Sequence, residues 1–162
     1  MYNGAYGGAG GYVGQSAAGK VVPLTKALVP EVAAIEALCF SEPWSEQAYL
    51  DACDKEDYLY LAAVDDTGHA IGMCGLIIGS FEAEVMNVAV HPDYRGQGIA
   101  KAMIQALLLA GEARGVKEFT LEVRAGNAAA IHVYEYFGFK GEGIRPGFYR
   151  MPTEDALIMW KR

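Results

Sequence analysis

A chain of 162 residues, 52% of them apolar, can bury the core of one ordinary domain and is short for two. Its net charge of −7 argues against nonspecific nucleic-acid binding, which needs clustered cations. No run of about 18 apolar residues and no basic, apolar leader points to a membrane span or a signal peptide, so a soluble, cytoplasmic monomer or weak dimer without membrane contact is expected.

Residues 1–20 hold seven Gly and three Tyr, with Lys20 the only charge, and show neither helical nor strand periodicity. They read as a flexible low-complexity tail ahead of a single domain at 21–162. Val32, Ile35, Leu38 and Cys39 recur at helical spacing after Pro30 and predict a helix over Pro30–Phe40. A second short helix runs from Trp44 to Cys53, with Ser45 as its N-cap. Strands follow at Tyr58–Val64 and Ala70–Gly79, joined by the turn at residues 65–68, and at Val85–Val90. Ile99, Met103, Ile104, Leu107, Leu108 and Gly111 then share one helical face, closed by Gly115. A strand at Phe119–Val123, a helix at Ala128–Phe137 between Asn127 and Gly138, and a strand at Ala156–Trp160 complete a mixed α/β order.

The three cysteines, Cys39, Cys53 and Cys74, are odd in number and form no C-x-x-C pair, so neither a disulfide framework nor a metal site is predicted. Cys74, among Met73, Leu76 and Ile77, reads as a small buried hydrophobe.

The densest chemical signal is the stretch from Val88-Ala89-Val90 through His91-Pro92-Asp93-Tyr94 to Arg95-Gly96-Gln97-Gly98-Ile99-Ala100-Lys101. An apolar strand passes through a short glycine loop straight into a helix, whose first N–H groups have no acceptor within the helix. Such an end attracts anions, and glycine lets phosphate oxygens come close to the backbone. The stretch is neither a P-loop nor the G-x-G-x-x-G of a dinucleotide fold.

It resembles the cofactor loop of the GNAT family of N-acetyltransferases, [QR]-x-x-G-x-[GA], at Arg95, Gly98 and Ala100. The block Leu121-Glu122-Val123-Arg124-Ala125-Gly126-Asn127 through Ala130 and Tyr134 to Gly138-Phe139 resembles the RimI type, N-terminal acetyltransferases of a ribosomal protein. Residues 40–45 and Glu154-Asp155-Ala156 echo two further segments of that type, and the likeness runs from Ala33 to Met159. The resemblance implies a mixed central sheet with splayed parallel strands flanked by helices, and acetyl-CoA as cosubstrate without a metal. It implies acetyl-CoA against Val88–Val90, with its pyrophosphate over Gly96–Lys101. Asn127 joins the cofactor-binding set on the same ground, and Trp44 and Tyr149 stand where acceptor contacts are expected.

Tyr134 lies two helical turns after Asn127, within reach of the strand end that presents Glu122. A phenol with a reference pKa of about 10 could protonate the departing thiolate at neutral pH; a helical core tyrosine is the other reading. Glu122 could be merely the outward member of an alternating strand, or, as the resemblance implies, the base that deprotonates the acceptor amine. An α-amine, with a reference pKa near 8, asks less of one carboxylate than lysine does.

His69, His91 and His132 show no triad or metal pattern. Residues 27–90 carry twelve acids against Lys55 alone, whereas residues 91–162 carry ten Lys or Arg against eight acids. That asymmetry suits an anionic cofactor and a cationic acceptor, or simply an uneven solvated surface. The expected acceptor is a protein N-terminus, an alanine of a small-subunit ribosomal protein; a small amine, or a CoA-binding module without catalysis, are the alternatives.

Overall fold

A computed structural model of the chain describes residues 5–7, 11–16 and 19–162, with side chains from residue 19 onward. The strands are β1 (Ala5–Gly7), β2 (Gly11–Ser16), β3 (Gly19–Pro23), β4 (Tyr58–Val64), β5 (Ala70–Ile78), β6 (Glu82–Val90), β7 (Glu118–Arg124), β8 (Lys140–Tyr149) and β9 (Glu154–Lys161). They join in one sheet in the order β1-β2-β3-β4-β5-β6-β7-β9-β8. All neighbours run antiparallel except β6 and β7.

Helices α1 (Val29–Cys39) and α2 (Glu46–Cys53) cover one face of the sheet, and α3 (Ile99–Ala113) and α4 (Ala128–Tyr136) the other. The predicted face of α3 is buried throughout. Fully burying one such aliphatic side chain is worth about 1.5–3 kcal/mol. Ser45 caps α2 by accepting from Ala48 N, and Asn127 caps α4 by accepting from Ala130 N. In α1, by contrast, Leu38 is 61% exposed while Glu36 turns into the core. Among the described residues no helix is long and apolar enough to cross a membrane.

Four strands, β1, β2, β3 and β8, depart from expectation. Within the Gly/Tyr-rich tail, β2 pairs with β3, Gly14 opposite Val21, although glycine-rich sequence offers no side-chain alternation to announce a strand. The expectation of flexibility for residues 1–4, 8–10 and 17–18 lies outside the described residues. Residues 140–149, where the sequence pattern predicts no element, form β8, an edge strand. Gly141, Gly143, Pro146 and Gly147 mask it, and its register slips near Gly143 and before Tyr149. An edge position tolerates such residues because one side of the strand needs no partner.

The placement of the site follows from β6. It pairs with β7 only at Glu82, Ala83 and Glu84, opposite Glu118, Phe119 and Thr120, and from Val85 on the two strands diverge. On its other edge β6 carries a bulge, where Asn87 and Val88 together oppose Cys74. A bulge bends its strand and increases the local twist.

Candidate active site

Side chains alternate across β7, so Leu121 and Val123 enter the core beneath α3 and α4, whereas Glu122 and Arg124 point to the face that carries α1 and α2. The divergence of β6 from β7 leaves a gap beside Glu122. Glu122 accepts an ion pair from Arg145 Nε of β8 at 3.2 Å, and its side chain is 18% exposed. Glu84 shares that gap. Burial, with Glu122 close by, raises its pKa, and Arg145 partly offsets the rise.

Tyr134 approaches from the opposite face. It is 8% exposed, packs edge-on against Phe139 at 5.8 Å between centroids, and belongs to the core that holds Cys74 and Leu121. Burial, then Cys74 and Tyr149, push its phenol well above the ordinary tyrosine range, so it keeps its proton at neutral pH. Tyr149, half-buried at the end of β8, is in electrostatic reach of both expected catalytic residues: Glu122 raises its pKa after burial does, and Tyr149 in turn raises that of Tyr134.

At the far end of β6, Gly96 and Gly98 stand at φ +77° and +79°, a region in which a side chain would be strained. A Cβ on Gly96 would meet nothing within 4 Å, so the concave side of the loop is open. Gly98 is the N-cap of α3, and no acid stands in the first turn. The N–H groups of Ile99, Ala100 and Lys101 therefore face outward with no acceptor one turn back. This cradle fits a pyrophosphate. Ile99, Val88, Ala89 and Val90 turn their side chains into the two cores. Arg95 folds back along β6, donating from Nε to Val90 O at 3.3 Å and from Nη2 to Cys39 Sγ at 3.4 Å. Lys101 Nζ sits 4.4 Å above the exposed Tyr136 ring, and Gln97 is exposed.

Trp44 lies in the α1–α2 loop and Tyr149 at the end of β8. Trp44 packs with Tyr49 and Tyr60 at 5.3 and 5.7 Å. Tyr149 lies under the Arg124 guanidinium at 4.5 Å. Arg124 also donates to Pro152 O at 2.9 Å and Arg150 O at 3.2 Å, and it pairs with Glu154 at 3.3 Å, which fastens the β8–β9 turn to β7. The α1–α2 loop meets that turn through Arg150 Nε to Glu42 Oε1 at 3.2 Å and Ser41 Oγ to Arg150 O at 3.4 Å.

The remaining candidates fall outside this arrangement. His69 pairs with Glu31 at the surface, His91 accepts from Asp93 N, and His132 is exposed. Cys74 is fully buried and its thiol pushed up by desolvation. Among the described residues no group of three or more His, Cys, Asp or Glu is placed to hold a metal ion. Glu84, Arg145 and Glu36 had not stood out in the sequence, and Arg124 had entered only within the block that begins Leu121-Glu122-Val123-Arg124. Glu36 could have been found as the charged residue four after Val32 on the core face of α1.

Residues 29–139 match the Acetyltransferase (GNAT) family. The ribosomal protein bS18-alanine N-acetyltransferase of Escherichia coli is 36% identical over 135 residues, covering 81% of this chain and 88% of its own. Its crystal structure superposes with a TM-score of 0.79, over 86% of this chain and 90% of that one. N-alpha-acetyltransferase RimI of Mycobacterium tuberculosis is 34% identical over 142 residues, covering 84% and 87% of the two chains. The chain belongs to the GNAT family of acetyltransferases.

Proposed function

We propose that residues 21–162 form a catalytic domain that moves the acetyl group of acetyl-CoA directly to the N-terminal α-amine of a protein, an alanine of a small-subunit ribosomal protein. The observation that carries this reading is the gap between β6 and β7, which has Glu122 on one face, Tyr134 on the other, and Tyr149 coupled to both. The acceptor assignment is supported by the Escherichia coli relative, a ribosomal protein bS18-alanine N-acetyltransferase.

Acetyl-CoA would supply the activated acyl group and a thiolate leaving group. The N–H groups of residues 99–101 and the open face of Gly96 would hold its pyrophosphate, while the backbone of Val88–Val90 would line the pantetheine arm. Glu122, steadied by Arg145, would take a proton from the acceptor ammonium directly or through water. Tyr134 would donate its hydroxyl hydrogen toward the departing sulfur, because burial keeps that proton in place. The carboxylate pair Glu84 and Glu122 would also suit a small polyamine, and the acceptor must therefore be tested directly.

Peptides with a free or a blocked N-terminus, each retaining its lysines, separate these readings by mass spectrometry. The free peptide should be acetylated once, at its α-amine, with kcat/KM rising toward the amine's pKa of about 8. Glu122→Gln should lower the rate by about 100-fold. Acetyl groups on the lysines of the blocked peptide at a comparable rate would overturn the α-amine assignment.

A further inference from the structure

The helix on the acceptor side also braces the strand on the cofactor side. Glu36 is 2% exposed, the one charged side chain buried to that degree among the described residues. Its Oε1 accepts from Trp44 N at 3.2 Å and Asn87 Nδ2 at 3.0 Å, while Oε2 accepts from Tyr49 OH at 2.6 Å. A carboxylate away from water must be met by donors, and bonds to a charged acceptor are the strong ones.

The other end of the Asn87 amide is held as well, since Oδ1 accepts from Tyr60 OH at 2.9 Å. Tyr60 in turn covers Gly75, its partner in the β4–β5 ladder, where a Cβ would come within 2.3 Å of the ring. Asn87 itself stands at φ 52° in the bulge of β6, a conformation asparagine tolerates better than most residues. Three residues further on, Cys39 Sγ donates to Val90 O at 3.5 Å. Helix α1 thus meets β6 at two points, both in the segment that has left β7.

We infer that Glu36 is a positioning residue for acetyl transfer: by binding Trp44 and Asn87 on one oxygen, it fixes the acceptor loop relative to the splayed half of β6. This rests on the acetyltransferase reading above. Trp44 belongs to the proposed acceptor side and the bulge adjoins Val88–Val90 on the proposed cofactor side, and no other side chain among the described residues takes a hydrogen bond from both Trp44 and Asn87. Displacement of one side against the other would separate amine from thioester without touching either binding surface.

Two variants test it. Asn87→Gly keeps the left-handed backbone accessible and removes the amide that Glu36 holds, whereas Glu36→Gln keeps an oxygen for both N–H donors. Misplacement on the order of an ångström can cost about 100-fold, and Asn87→Gly should lose that much in kcat/KM, through both a lower kcat and a higher acetyl-CoA KM. Glu36→Gln should stay close to the wild type in both constants, a rescue that simple packing would not predict. A merely structural role would lower the melting temperature of Asn87→Gly and leave its KM unchanged. Wild-type kinetics in Asn87→Gly, or a Glu36→Gln protein as impaired as that variant, would overturn the positioning role alone. A wild-type protein that takes up no acetyl-CoA in calorimetry would overturn the acetyltransferase reading with it.

Discussion

The two ends of the site are built from different materials. The loop at residues 95–101 presents backbone: glycines at positive φ, helix N–H groups, and side chains turned inward or away. The acceptor side proposed above is built from side chains that reach across chain distances of 26 to 109 residues, such as Arg124 to Arg150 and Ser41 to Arg150. A backbone site needs only a local run of residues with the right conformational freedom, whereas a side-chain site needs the whole fold to bring its partners together. Damage to the first should therefore show in acetyl-CoA binding, and damage to the second in use of the acceptor.

The widest departure is expected where the two ends join. Tyr134→Phe should lower kcat by about 100-fold or more with little change in the KM for acetyl-CoA, because its hydroxyl matters mainly as the sulfur leaves. Steady-state kinetics on a variant with native circular dichroism decides it, and a near-wild-type kcat would reduce Tyr134 to a core residue. On the cofactor side, Gly98→Glu should weaken acetyl-CoA by roughly 30-fold. Left-handed strain of about 1–2 kcal/mol adds there to a misplaced negative charge at the helix start. Titration calorimetry reads that loss, and unchanged affinity would remove the pyrophosphate from this loop. Arg124→Lys is the gentlest of the three. It cannot hold two carbonyls and a ring at once, so the acceptor KM should rise about 10-fold while the acetyl-CoA affinity stays put. Equal losses for both substrates would show that the two ends do not separate.

That contrast in materials also decides what could be read in advance. The glycine loop, the apolar face of α3 and the Ser45 and Asn127 caps all rest on residues close in sequence, and each was legible there. Strand β8 was not, because Gly141, Gly143 and Pro146 erase the alternation that marks a strand, and only its pairing with β9 makes it one. β2 was hidden for the same reason, and its partner β3 had been read as no strand at all. Helix α1 shows a subtler failure: apolar spacing picked Leu38 for the core, when the inward position belonged to Glu36. A buried carboxylate violates the hydrophobic pattern, and the donors that make it tolerable, Asn87 and Tyr49, lie 51 and 13 residues away. The ion pair between Glu122 and Arg145 likewise depends on β9 standing between their strands.

Arg124 grips the β8–β9 turn by the carbonyl oxygens of Arg150 and Pro152, atoms that every amino acid carries. That part of the hold is indifferent to the side chains at 150 and 152, whereas the ion pair to Glu154 and the contact with the Tyr149 ring at the turn's two ends are not. Side chains in that turn that make no such contact, Met151 and Thr153 among them, can be exchanged without retooling the strand that bears Glu122. A turn held this way is a natural place to redesign which N-terminus the enzyme accepts, starting with residues 151–153 and leaving Arg124 and Arg150 alone.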